Sequence, residues 1–175
     1  MISIRKATVN DVKQLAIVSK KAFFIPHQHA IPEEIMDKYL KESFNEETLT
    51  KEVTQQHYEY HLIFYKEKLA GFSKIILNTE NEHILAKNIT KMERLYLLKE
   101  FYGLGLGKKL FDFNVGLIKK NNQKGIWLYV WIKNYRALNF YEKVAFKRIG
   151  NYDFPISKTE TRPNDILFLN LETKN

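Results

Sequence analysis

The chain has 175 residues, 45% of them apolar and 14% aromatic, which suits a single packed domain over residues 1–175 and excludes a disordered chain. No segment approaches about 18 uninterrupted apolar residues, so no membrane span is expected, and MISIRKATVND shows no secretory signal. Cysteine is absent, which removes disulfides, thiolate metal sites and Cys nucleophiles and fits the cytoplasm, and the net charge is +8.

Residues 2–7, ISIRKA, alternate and read as a first strand. Asn10 or Asp11 caps a helix carrying Val12, Leu15, Ala16 and Phe23, a pattern that Pro26 interrupts. Pro32 with Glu33 and Glu34 opens a second helix through Ile35, Met36, Tyr39, Leu40 and Phe44, and a further helical stretch follows near 46–56. YEYHLIFY (58–65) and LAGFSKIILN (69–78) read as a hairpin around KEK. MERLYLL (92–98) is a strand, residues 105–120 an amphipathic helix, and IWLYVWI (126–132) another strand. A helix over about 134–144 and strands near 146–154 and 164–171 complete the order β-αα-ββ-β-α-β-α-ββ, an α/β class with a mixed sheet.

Charge is uneven along this order. Residues 33–60 hold eight acids against Lys38, Lys41 and Lys51, whereas residues 99–148 hold eleven basic residues against Glu100, Asp112 and Glu142. Two solvated helix faces account for this as well as two partners of opposite sign do. No helix-turn-helix, zinc or RNP pattern accompanies the basic half, so no nucleic-acid partner is expected. His27 and His29, with His57 and His61 elsewhere, lack the spacing of a known metal site, and no metal is expected.

FYGLGLGKKL (101–110) places glycines at 103, 105 and 107 between a strand and a helix, ahead of Lys108 and Lys109. Such a turn suits an anion, because its N–H groups and the helix N-terminus converge on one place; a tight packing turn would use the same glycines. The spacing departs from a Walker loop, since three residues separate Gly103 from Gly107 and Lys109 stands where Ser or Thr belongs. It departs from the dinucleotide fingerprint too, because the next strand ends in WIKN with no ribose-binding acid.

The turn resembles the Gly-rich loop R/Q-x-x-G-x-G/A of the GNAT acetyltransferase superfamily, with Tyr102 in place of Arg or Gln. NYRALNFYEKVAF (134–146) is similar to the family's N-x-x-A-x-x-F-Y-x-x-x-G-F, with Ala145 at the usual glycine. ERLYLL and ISIRKATVNDV fit the same pattern, so the likeness covers most of the chain. FNEETLTKEV, IWLYVWIKN and NDILF further resemble the PaiA-type spermidine/spermine N-acetyltransferases.

The resemblance implies the GNAT fold, a mixed central sheet with splayed parallel strands flanked by helices, and acetyl-CoA as cosubstrate. It implies that Leu95, Tyr96 and Leu97 pair through their backbone with the pantetheine arm. The pyrophosphate would rest on Tyr102, Gly103, Leu104, Gly105, Leu106, Gly107 and Lys108, with Asn134 and Lys143 as further contacts. N–H groups near 96–97 would polarise the thioester carbonyl. Tyr141 is implied as general acid to the departing thiolate and Glu93 as general base, although Glu93 also has Lys91 and Arg94 for ion-pair partners. The implied acceptor is a cationic amine, a polyamine drawn by the acids of 33–60, with Tyr129 and Trp131 offering aromatic faces or plain core. A protein N-terminus, a lysine, another small amine, or acyl-CoA binding without turnover are the alternatives. The edge of the last strands offers a surface for a homodimer.

Overall fold

The computed structural model describes residues 1–172. Seven strands form one mixed sheet in the order β1-β2-β3-β4-β5-β7-β6. They are β1 (Ile2–Lys6), β2 (Tyr58–Tyr65), β3 (Lys68–Ile76), β4 (Ile89–Leu97), β5 (Gly125–Trp131), β6 (Lys147–Pro155) and β7 (Thr161–Asn170). The helices are α1 (Val12–His27), α2 (Glu33–Ser43), α3 (Glu46–Thr54), α4 (Leu106–Lys120) and α5 (Tyr135–Lys143). β4 and β5 run parallel, Ile89, Thr90 and Lys91 lying beside Gly125, Ile126 and Trp127, while β1–β2, β5–β7 and β6–β7 are antiparallel. The mixed sheet is the one the sequence predicts, and the order differs only in that the further helical stretch near 46–56 forms a third helix, α3, before the hairpin.

Three local differences have physical causes. Asp11 stands at the N-cap position of α1 but its side chain makes no cap bond there: its carboxylate turns back to accept from the Thr8 N–H (2.8 Å) and from the two terminal Arg5 guanidinium nitrogens at 2.8 and 2.6 Å. The Arg5 guanidinium, then Thr8, hold that carboxyl well below the usual carboxylate range despite its partial burial. Pro26 does not interrupt α1 but lies in its last turn, and the helix ends one residue later at His27. The turn between β2 and β3 places Lys66 and Glu67 at φ 47° and 66°, both left-handed, as tight hairpins demand.

The chain forms two compact units, each discontinuous in sequence: Met1–Ile75 with Arg94–Gly116, and Ile76–Glu93 with Leu117 onward. In the first, Ile63, Ala70, Leu106 and Leu110 are fully buried, with Ile2, Ile4, Tyr65, Leu95, Leu97 and Phe101 packed on them. Fully burying such a side chain is worth about 1.5–3 kcal/mol. In the second, Ile84, Ile89 and Trp127 form a core flanked by Tyr129 and Phe168, and the Trp127 indole donates to the Thr79 carbonyl at 2.7 Å.

α5 closes with a particular geometry. Ala145 is left-handed at φ 71°, the Phe146 N–H reaches back to the Tyr141 carbonyl at 3.0 Å, and the Tyr141 and Phe146 rings lie 5.2 Å apart. This is a Schellman ending built on alanine where glycine is usual. An L-residue in this conformation loses about 1–2 kcal/mol, whereas glycine's extra freedom in the unfolded chain takes back about 0.5–1 kcal/mol. Ala145→Gly is therefore expected to stabilise the protein by about 0.5–1 kcal/mol, seen as a higher urea midpoint at unchanged slope.

Candidate active site

In the first unit the glycine turn follows β4 through a short 3₁₀ turn at Lys99–Phe101 and leads into α4. Gly103 and Gly105 take φ 78° and 72°, and a Cβ built on either meets nothing within 4 Å. These glycines are thus required by backbone conformation and not by crowding, and they leave open space in front of the chain. α4 begins here, with the Lys109 N–H bonding the Gly105 carbonyl at 3.2 Å, so the N–H groups of its first turn have no helical partner. Leu104 is exposed, Leu106 fully buried, and Gly107 lies in the first turn. Lys108 is exposed and engaged with both Asp112 oxygens at 2.6 Å.

β4 alternates as the sequence implies. Leu95 and Leu97 join the core cluster with Leu106 and Leu110, while Arg94 and Tyr96 turn to the other face. There the Arg94 guanidinium lies 4.4 Å from the Phe44 ring centroid and donates to the Tyr60 hydroxyl at 3.0 Å. Tyr96 packs near Phe23, His27 and Phe72. His27 is buried, with its Nε2 3.4 Å from the Tyr96 hydroxyl, and so belongs to this core.

The acids of 33–60 divide by role. Glu33 and Glu34 sit in the first turn of α2, and Glu46 and Glu47 in that of α3, where a helix favours negative charge. Glu59 pairs with Lys6 at 2.9 Å. Glu52 points inward: it accepts from Lys74 at 2.9 Å and from the Tyr60 hydroxyl, and stands 3.8 Å from Arg94. Lys74 is only 2% exposed and lies over the Tyr58 ring at 4.6 Å. Nothing in the sequence marks this group, because 22 residues separate Glu52 from Lys74 and no helical or strand period links them.

The second unit holds the remaining candidates. Glu93 is half-buried and 3.4 Å from the Lys91 ammonium, so the ion pair that its sequence neighbours allow is formed. Tyr141 is buried between Phe140 and Phe146, and burial pushes its phenol pKa up, keeping the hydroxyl protonated. Asn134 caps α5, its side-chain oxygen accepting the Ala137 N–H at 3.3 Å. Lys143 is exposed in the last turn of α5. Tyr129 and Trp131 both face cations of the chain itself: Lys91 lies 5.3 Å from the Tyr129 centroid and Arg162 4.8 Å from that of Trp131. Among the described residues, no group of three or more His, Asp or Glu is placed to hold a metal, and no helix is long and apolar enough to cross a membrane.

Comparison with known proteins agrees with this geometry. Residues 27–146 match the family described as acetyltransferase (GNAT) family. The chain is 26% identical over 166 residues to an N-acetyltransferase of the pepI 3′ region of Lactobacillus delbrueckii subsp. lactis, covering 95% of each. It is 26% identical over 146 residues to the spermidine N(1)-acetyltransferase of Thermoplasma acidophilum, covering 83% of this chain and 88% of that one. The PaiA N-acetyltransferase of Thermoplasma acidophilum, solved in complex with coenzyme A, superposes with a TM-score of 0.80 at 24% identity, covering 97% of this chain and 99% of that one. The glycine turn, the N-x-x-A helix and the mixed sheet are thus those of a recognised group, and the chain belongs to the GNAT acetyltransferase family, as an N-acetyltransferase that uses acetyl-CoA.

Proposed function

We propose that the acceptor is a polyamine, spermidine or spermine, and that one of its primary amines is acetylated. The observation that carries this reading is the similarity to a spermidine N(1)-acetyltransferase over 83% of the chain. The glycine turn fits the diphosphate of the cosubstrate: two left-handed glycines leave open space before a helix N-terminus whose first N–H groups are unused within the helix. Residues 102–108 would hold that group, the backbone of 95–97 the pantetheine arm, and Asn134 and Lys143 further parts.

Acetyl-CoA supplies the acetyl group activated as a thioester. A primary amine with a pKa near about 10 is neutral in only roughly one molecule in a thousand at pH 7, so a proton must be taken from it. Glu93 is the proposed acceptor of that proton, at a carboxylate oxygen or through water. Tyr141 is the proposed donor, giving its Oη proton where thiolate charge develops; burial keeps that proton in place beforehand.

The test is thiol release from acetyl-CoA, followed with a thiol-reactive dye, in parallel wells holding spermidine, spermine or a lysine peptide. The chain has no cysteine and adds no thiol background. Saturable release with the polyamines is the expected result. Release with the lysine peptide only would overturn the acceptor assignment. Coenzyme A binding without release from any of these acceptors would overturn it as well.

A further inference from the structure

The second unit has a feature that catalysis by Glu93 and Tyr141 does not require. The Lys91 ammonium lies 5.4 Å from the Trp127 ring centroid, 5.3 Å from that of Tyr129, and 3.4 Å from a Glu93 oxygen. Two aromatic faces and one carboxylate around a single ammonium make the arrangement by which proteins recognise alkylammonium ligands. The corner is held from several sides. Trp127 is 3% exposed and fixed by its hydrogen bond to Thr79, and Tyr129 stacks on Tyr152 at 4.3 Å and 13°. The outer wall is open to solvent, since Tyr152 is 39% exposed.

A lysine gains little from being laid there, with four carbons of its stem ordered and its side chain only 20% exposed. The seat itself is matched to any ammonium of that size, and Lys91 fills it from within the chain. We propose that the Trp127–Tyr129–Glu93 corner is an ammonium-binding subsite that Lys91 occupies in the absence of acceptor, and that Lys91 sets the affinity for a cationic acceptor by competing for it. The place of the subsite in turnover rests on the acceptor being a cationic amine, as proposed above. An acceptor ammonium that displaces Lys91 arrives beside the carboxylate proposed to take its proton.

Of the two tryptophans of the chain, Trp127 lies in this corner and Trp131 four residues further along β5 beside Arg162, so intrinsic fluorescence includes one reporter within the corner. Wild type, Lys91→Ala and Lys91→Gln are titrated with tetramethylammonium chloride against sodium chloride at equal ionic strength, with neutral tert-butanol as the shape control. Removing the internal cation is expected to give a saturable response at a concentration at least about tenfold lower than in wild type, equivalent to about 1.4 kcal/mol. Adding Tyr129→Leu to Lys91→Ala is expected to abolish the gain. Wild-type behaviour in both single variants, or an equal response to tert-butanol, would overturn the proposal. Tetramethylammonium cannot be acetylated, so a failure of polyamine turnover leaves this readout intact. In turnover, Lys91→Gln is expected to lower KM for spermidine with KM for acetyl-CoA unchanged.

Discussion

Glu52→Ala is expected to destabilise the protein by about 3 kcal/mol or more, measured by urea unfolding, although Glu52 reads in the sequence as one of many surface acids on an acidic helix. Its carboxylate is shared by Lys74 and Arg94, both more than nine-tenths buried, and by the Tyr60 hydroxyl. Removing it takes a shared anion away from two desolvated cations, and charges taken out of water are tolerated only when well paired. Glu47→Ala is the control. Its pair with Lys51 is an exposed i,i+4 contact on the same helix, and its loss is expected to leave the urea midpoint close to that of the wild type. Equal effects at the two positions would show that Glu52 acts only as a helix surface residue.

Tyr141→Phe is expected to lower kcat by about 100-fold or more while leaving acetyl-CoA affinity within about twofold, since general acid groups contribute about 10²–10⁴ in rate. The substitution keeps the ring between Phe140 and Phe146 and removes only the hydroxyl. The comparison is of kcat with the dissociation constant for acetyl-CoA measured separately; an unchanged kcat would remove the general-acid role. Burial also gives stability a pH dependence. The folded phenol has its pKa raised, so its contribution is fully present below the unfolded value near about 10 and is lost as pH rises beyond it. Tyr141→Phe is expected to flatten that alkaline decline, which circular dichroism melts between about pH 9 and 11 would show.

Elements with a strong local period were legible in the sequence, as α4 and the β2–β3 hairpin illustrate. The glycine turn was legible for a related reason, because its demand is on the backbone of a few consecutive residues. What stayed hidden depends on distance along the chain. Lys91 meets Trp127 only because β4 and β5 pair in parallel with Lys91 beside Trp127, and no composition or period reveals that register. The acids of 33–60 misled in the opposite direction: they look alike as a run, yet Glu52 is turned inward while Glu47 is not. Asn134 falls between these cases. Its motif was visible, but its capping of Ala137 required the helix start to be placed to the residue.

The chain passes between the two compact units three times: at the end of β3, between Ile75 and Ile76, in the middle of β4, between Glu93 and Arg94, and inside α4, between Gly116 and Leu117. Neither is therefore a contiguous stretch of polypeptide. Because synthesis runs from the N-terminus, every residue of the first unit, glycine turn included, exists once Gly116 is made. Tyr141 and the β7 strand that pairs with β5 are added only later. Translation thus supplies the backbone proposed to hold the diphosphate before the residue proposed to donate the proton.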